Sequence, residues 1–272
     1  MTDSRQESPE AFDRLLDYIE ADVGFETGFY NDAYLDRRIT ARMRRTGADT
    51  YEEYLSQLQG NDEEADSLLD SLSINVTGFF RNPEAWEGIR SVLQTLTDER
   101  RKVRIWSAPC ADGREPYSLA MLALDDPDIQ DRRVSILGTD ISEDSLEIGR
   151  AGVYETSQTT DIAEELAPLD DYEPYVDQDG NRFEMREQVK DLITFEKHDL
   201  IRGDPKRNFD LVLCRNLLIY IDTEYKVPIF ETIEGSLRDS GYLVIGMTET
   251  LPHECRDTFE AEDKRHRIYR KA

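Results

Sequence analysis

Histidine and cysteine are scarce in this 272-residue chain, and neither falls into a pattern that would hold a metal or a disulfide. Cys110, Cys214 and Cys255 lie far apart, with no C-x-x-C and no ligand rhythm alongside His198, His253 and His266. Reduced thiols and no metal are therefore expected. No run approaches the roughly 20 apolar residues that cross a bilayer, and the opening MTDSRQESPE lacks the apolar core of a secretory signal. The expectation is a cytoplasmic protein without direct membrane insertion. Positive charge is also short: 33 Lys and Arg face 59 Asp and Glu, a formal net charge of -26. Such a surface repels a polyanion, which argues against nucleic acid as a partner. Acidity of this size, with far more Arg than Lys, is expected of a halophilic archaeon, whose salt screens self-repulsion; the alternative is an ordinary acidic protein. Solubility measured against salt tests that expectation.

What is present reads as two parts. Up to about residue 80 the pattern is helical. Ser8-Pro9-Glu10 puts a cap residue before a proline at the first helical position, and Phe12, Leu15, Leu16 and Ile19 recur at helical spacing. Asp32 to Arg45 carries Leu35, Ile39 and Met43 on one stripe, with Arg37, Arg38, Arg42, Arg44 and Arg45 around it. Thr50-Tyr51-Glu52-Glu53 is a capping box for a third helix, and Leu68, Leu69 and Leu72 mark a fourth. From residue 81 to 272, short apolar runs alternate with helical stretches, the pattern of an α/β domain with a mostly parallel sheet. The runs are Val103–Pro109, Val134–Asp140, Ile193–His198, Phe209–Asn216 and Tyr242–Met247. A stretch at about 161–192 is acidic and rich in turn residues, with Gly180-Asn181 before Arg182–Met185, and reads as an inserted β subdomain with a hairpin. His266–Arg270 suits a last, antiparallel strand at the far side of the sheet.

In an open α/β sheet the ligand lies beyond the carboxyl ends of the strands. The first run leads into Ser107-Ala108-Pro109-Cys110-Ala111-Asp112-Gly113, a loop of small residues without the G-x-G-x-x-G that cradles a pyrophosphate. A cofactor lacking phosphate fits better. The second run ends in Asp140, where a carboxylate can accept from both ribose hydroxyls of an adenosine; the alternative is an acid at the start of the helix that follows.

Asn75-Val76-Thr77-Gly78-Phe79-Phe80-Arg81-Asn82-Pro83 and Cys214-Arg215-Asn216-Leu217-Leu218-Ile219-Tyr220, with Trp106-Ser107-Ala108, Glu115-Pro116-Tyr117-Ser118 and Asp199-Leu200, closely resemble the CheR chemoreceptor methyltransferases. The resemblance implies a helical N-terminal domain, a Rossmann-like methyltransferase domain and a small β subdomain. It implies S-adenosylmethionine as cofactor, S-adenosylhomocysteine as product, and methyl-ester formation on glutamates of the cytoplasmic domains of chemotaxis receptors. It places Asn75, Thr77, Arg81, Glu115, Asp140, Asp199, Leu200, Cys214, Arg215 and Asn216 at the cofactor, and Tyr220 near the transferred methyl group. Two positions depart from the family: Arg114 stands where a glutamate is usual, and Asp199 where asparagine is commoner.

A glutamate carboxylate, with an unperturbed pKa of about 4.3, is already the nucleophile at neutral pH, so no general base is needed. Alignment is the task, and Arg81 and Tyr220 are the candidates for it. The five arginines from Arg37 to Arg45 form a positive cluster in an acidic chain and would steer an acidic receptor helix; the alternative is a solvated helix face. Phe79, Phe80, Trp106 and Ile219 read as core. A monomer is expected. A receptor-binding module without activity, and a methyltransferase for another protein or a small acid, stay open at this point.

Overall fold

The computed structural model describes residues 9–72 and 77–272; Asn75, one of the cofactor candidates, lies outside them. The chain divides into two compact units, Met1–Ile74 with Tyr220–Tyr225, and Asn75–Ile219 with Lys226–Ala272. The helical unit thus stops short of residue 80. It also takes in a short stretch around Tyr220 that the sequence pattern assigns to the other domain.

In the helical unit, α1 (Pro9–Tyr18) runs into a π-helical turn, Ile19–Val23, closed by Gly24 in the left-handed region at φ 78°. The helix α2 (Asp32–Thr46) is capped by Asn31, whose side chain accepts from the Tyr34 amide at 3.0 Å. For α3 (Tyr51–Leu58), Thr50 Oγ1 accepts from Glu53 N at 3.2 Å, and Glu53 Oε2 accepts in return from Asp49 N at 2.9 Å. That is a capping box whose second arm reaches one residue further back. With α4 (Asp62–Leu72), these helices close over Leu15, Ile19, Leu35, Ile39, Met43, Leu58, Leu68 and Leu72.

One member of the arginine cluster is turned into this core. Arg42 Nε donates to Glu64 Oε1 at 3.1 Å and its Nη2 to Oε2, while Tyr54 Oη donates to Oε1 at 2.6 Å. Burial pushes the Glu64 carboxyl up, but the hydrogen bonds from Arg42 and Tyr54 outweigh it and hold the group below its ordinary value. Arg42 is therefore a structural partner of Glu64. Arg42→Glu, which sets a second carboxylate against buried Glu64, is expected to cost about 3–5 kcal/mol of folding stability. An unchanged urea midpoint would contradict it.

The larger unit continues with α5 (Pro83–Glu99), β1 (Val103–Ser107), α6 (Arg114–Asp125), β2 (Val134–Asp140), α7 (Glu143–Ala151), β3 (Val153–Glu155), α8 (Ile162–Glu165), β4 (Val176–Asp179), β5 (Arg182–Met185), α9 (Glu187–Lys190), β6 (Ile193–Lys197), β7 (Phe209–Cys214), α10 (Thr223–Ser236), β8 (Leu237–Ile245), β9 (Phe259–Asp263) and β10 (Ile268–Lys271). The main sheet has the order β6-β2-β1-β7-β8-β10-β9. Neighbours from β6 to β8 are parallel, and β10 is antiparallel to both β8 and β9. The final strand is thus interior to the sheet. The edge is β9, whose Glu260, Ala261 and Glu262 are exposed; its two carboxylates discourage pairing with a further strand. The direction of winding reverses beside β1, so the loops after β1, β2 and β7 converge on one end.

Strand β7 is buried throughout and includes one acid, Asp210. That carboxylate accepts from Arg104 N at 2.8 Å and faces Arg100 and Arg238 at 3.0 and 3.1 Å, at the end of the sheet away from those loops. The insertion is a separate sheet of order β3-β5-β4. Gly180, at φ 60°, turns its β4–β5 hairpin. Because β3 begins at Val153, the inserted sheet starts upstream of the expected residue 161; three residues of strand are too short to show a period.

Candidate cofactor site

Backbone hydrogen bonds lock the converging loops together. Ala108 N donates to Leu213 O at 2.9 Å, Cys110 N to Thr139 O at 2.8 Å, and His198 N to Asp140 O at 3.0 Å. Trp106 is fully buried and reaches Thr139 Oγ1 through its indole N–H at 2.9 Å. Gly113, at the start of α6, has no room for a side chain: a Cβ there would stand 2.9 Å from the Phe195 ring and 3.0 Å from Gly149 Cα. Close helix–sheet packing and a backbone φ of 91° require that glycine.

Asp140 is the centre of this end. Its Oδ2 accepts from Ala111 N at 2.8 Å and its Oδ1 from Ser142 N at 3.0 Å. Burial raises its carboxyl above the ordinary aspartate value against the pull of those amides. The helix-cap role belongs to its neighbour: Ser142 Oγ accepts from Ser145 N at 3.2 Å and caps α7. Two carboxylate oxygens carry about four acceptor positions, so capacity remains for a diol. Next to it, the Ile141 side chain is 50% exposed. Ile141 carries no signal in the sequence beyond following Asp140, and its exposure is what singles it out.

The segment 77–82 is held against α6. Phe80, at φ 48°, and Asn82, at φ 56°, are non-glycine residues in the left-handed region. Such strain collects at functional loops. Arg215 is buried; its Nη1 donates to Glu115 Oε2 at 3.0 Å and its Nη2 to Arg81 O at 2.8 Å, while Nε has no partner among the described residues. Glu115 also accepts from Ser107 Oγ at 2.8 Å. Three cofactor candidates, Arg81, Glu115 and Arg215, are thereby brought together with Ser107, and the unpartnered Nε is the kind of atom that a bound ligand's acceptor would satisfy. Thr77 is half-buried, and its carbonyl accepts from Arg114 at 3.3 Å.

Asp199 serves the backbone: its Oδ1 accepts from Ile201 N at 2.8 Å and Arg202 N at 3.0 Å. A carboxylate does this as well as an amide, which accounts for the departure at this position. Leu200 and Cys214 are buried, and burial pushes the Cys214 thiol well up, so it acts as a small apolar residue. Asn216 stands at φ 59° in a loop held by a residue that carries no signal in the sequence. Glu249, 3% exposed, accepts from Gly246 N at 2.6 Å, Leu218 N at 2.7 Å and Asn216 N at 3.0 Å. Burial raises its carboxyl above the usual glutamate value. Ile219, expected in the core, is 43% exposed.

Tyr220 lies in the helical unit: its carbonyl accepts from Asn31 N at 2.9 Å, and its ring is 4.8 Å from that of Tyr34. Burial raises the Tyr34 hydroxyl above the usual tyrosine value. The Arg38 and Arg37 guanidiniums lie 5.3 and 5.7 Å from the Tyr34 ring centroid, and the half-buried Arg38 Nε has no partner among the described residues. Arg44 and Arg45 are exposed. Among the described residues no group of three or more His, Cys, Asp or Glu gathers as a metal site, and no helix is long and apolar enough to cross a membrane.

Comparison with known proteins matches residues 75–268 to the SAM-binding domain of the CheR methyltransferases and residues 10–73 to their all-alpha domain. A chemotaxis protein methyltransferase of Listeria monocytogenes is 32% identical over 86% of this chain and 87% of its own length. A probable chemotaxis protein methyltransferase of Rhizobium etli is 32% identical over 89% of this chain and 93% of its own. A probable biofilm formation methyltransferase of Pseudomonas aeruginosa is 30% identical over 88% of this chain and 56% of its own.

Proposed function

We propose that this chain, which belongs to the CheR methyltransferase family and is an S-adenosylmethionine-dependent protein methyltransferase, acts on chemotaxis receptors and forms the methyl ester of receptor glutamates for sensory adaptation. The observation that carries the cofactor side is Asp140 beside exposed Ile141, an acceptor for a diol next to an apolar platform. Thr77, Arg81, Glu115, Leu200, Arg215 and Asn216 complete that side in this proposal. Asp199 and Cys214 contribute shape through the backbone. The protein acts as a cytoplasmic monomer, without nucleic acid.

When bound, S-adenosylmethionine supplies an electrophilic methyl group whose bond to sulfur breaks as a carboxylate oxygen of the substrate forms its bond to carbon. The substrate glutamate is ionised at neutral pH, so the protein's residues have to desolvate and aim it without removing a proton. Because charge would be lost on the way to the ester, strong charge stabilisation by the protein's residues would favour the substrate over the transition state. Orientation by a neutral donor is the better design. In this proposal the Tyr220 hydroxyl aims the carboxylate, and Arg37, Arg38, Arg44 and Arg45 meet the acids of the receptor. Arg81 is assigned to the cofactor.

Transfer of tritium from labelled S-adenosylmethionine to receptor-containing membranes, with base-labile label, is the expected result; base-stable label would exclude a carboxyl ester. Tyr220→Phe should lower turnover by about 10-fold or more while leaving cofactor affinity in place, because the hydroxyl acts on the substrate side. Normal turnover in that variant would remove Tyr220 from the reaction.

A further inference from the structure

The segment that carries Thr77 and Arg81 is seated in part by the inserted sheet and its helix. Phe79 N donates to Glu165 Oε2 at 2.9 Å, and the Phe79 ring meets Tyr154 of β3 edge-on at 5.0 Å. A Cβ on Gly78 would stand 3.0 Å from Glu165 Oε1, so the glycine lets α8 come this close. Arg114 spans these parts. Its Nε and Nη2 hold Asp112 in the loop after β1 at 3.1 and 3.0 Å, while its Nη1 is 3.3 Å from both Thr77 O and the Glu165 carboxylate. The guanidinium lies 5.6 Å from the Tyr154 ring centroid. Five donors in one rigid fork can bridge three acceptors on three segments; a lysine ammonium on its flexible stem would not fix their spacing. These groups are mostly buried, which lifts the pair above the small worth of a surface ion pair.

We propose that Arg114 is a positioning residue for cofactor binding: with Glu165 it couples the placement of the 77–81 segment to the inserted subdomain, so that α8 sets the affinity for S-adenosylmethionine. This rests on the cofactor role assigned to Thr77 and Arg81 above. The coupling has somewhere to act. A groove of about 670 Å³ is lined by Phe80, Arg81 and Asn82 and by Thr160, Glu164 and Glu165 of the insertion, so the spacing between the two sides is free to change if the link is cut.

The test is calorimetric titration of S-adenosylhomocysteine into wild type, Arg114→Gln, Glu165→Gln and the double variant, with kinetics on receptor membranes alongside. Glu165→Gln keeps an acceptor for Phe79 N and leaves the Arg114–Asp112 pair whole, so it cuts the link with the smallest disturbance. Each single variant is expected to weaken binding by about 5-fold or more, and the double variant no further than the worse single, because both act through one contact. The KM for S-adenosylmethionine should rise with kcat and the receptor KM kept. Faster amide exchange of residues 77–82 in the ligand-free variants should accompany it. Unchanged affinity in folded variants, or losses that add independently, would overturn the coupling while leaving the cofactor reading intact. Failure of the wild-type protein to bind would overturn the cofactor reading itself.

Discussion

Glu249→Ala is expected to cost about 3 kcal/mol or more of folding stability and on the order of 100-fold in turnover, although Glu249 belongs to none of the sequence motifs. Its buried carboxylate receives the backbone amides of Asn216, Leu218 and Gly246 among others, and each amide stripped of its acceptor inside the protein costs about 1–3 kcal/mol. The amides belong mainly to the loop after β7, where Asn216 is already held at φ 59°. Without the acceptor that loop has no reason to keep its shape, and a displacement of about 1 Å at a reacting centre costs roughly 100-fold. Gly246 is bound into the same arrangement, since a Cβ there would lie 2.5 Å from Glu249 Oε2. Urea unfolding and steady-state kinetics give the two readings. Glu249→Gln, which turns an NH2 group toward donors, should fall between the wild type and the alanine variant. A stable, fully active Glu249→Ala would show that the loop holds itself.

Asp140→Ala should weaken binding of S-adenosylmethionine by about 10- to 150-fold. Loss of hydrogen bonds from a diol to a charged acceptor accounts for about 1.5–3 kcal/mol, and the Ala111 amide that Asp140 also holds would be released with it. The pH dependence has a definite sign. Burial raises this carboxyl above the ordinary aspartate value, so it protonates earlier than a solvent-exposed aspartate as pH falls. Protonation removes acceptor capacity, and cofactor affinity should therefore fall on the acid side, beginning above the pH at which an exposed aspartate titrates. Calorimetry across that range checks it; affinity that is flat with pH and unchanged in a folded Asp140→Ala protein would leave Asp140 only its role with Ala111 and Ser142.

Much of the fold was readable because local signals agreed with the global arrangement. Asn31 and Thr50 cap their helices as their residue types require, and the five parallel strands lie within or beside apolar runs too short for helices. Helix α5 and strands β3 and β9 were less legible: β3 is too short to display a period, and β9 carries acids because it is an edge. Among the site residues, Asp140 could be picked out by its place at a strand end. Glu249 could not, because a glutamate in a polar stretch looks the same whether its carboxylate meets water or backbone amides.

The sequence by itself determined the family, the cofactor class and the reaction, since the strings around Thr77, Glu115 and Arg215 are chemically specific and occur in the right order. It also determined the sign of the surface and the two-part organisation. Only the tertiary structure decided how each charge is used. Five arginines on one helix look alike in sequence, yet Arg42 neutralises buried Glu64 while Arg44 and Arg45 face outward. Arg114, which looks like a defect in a motif, ties three segments together. The physical reason is that a charge acts over a few ångströms inside a protein, and which groups come that close is settled by packing between residues far apart in the chain.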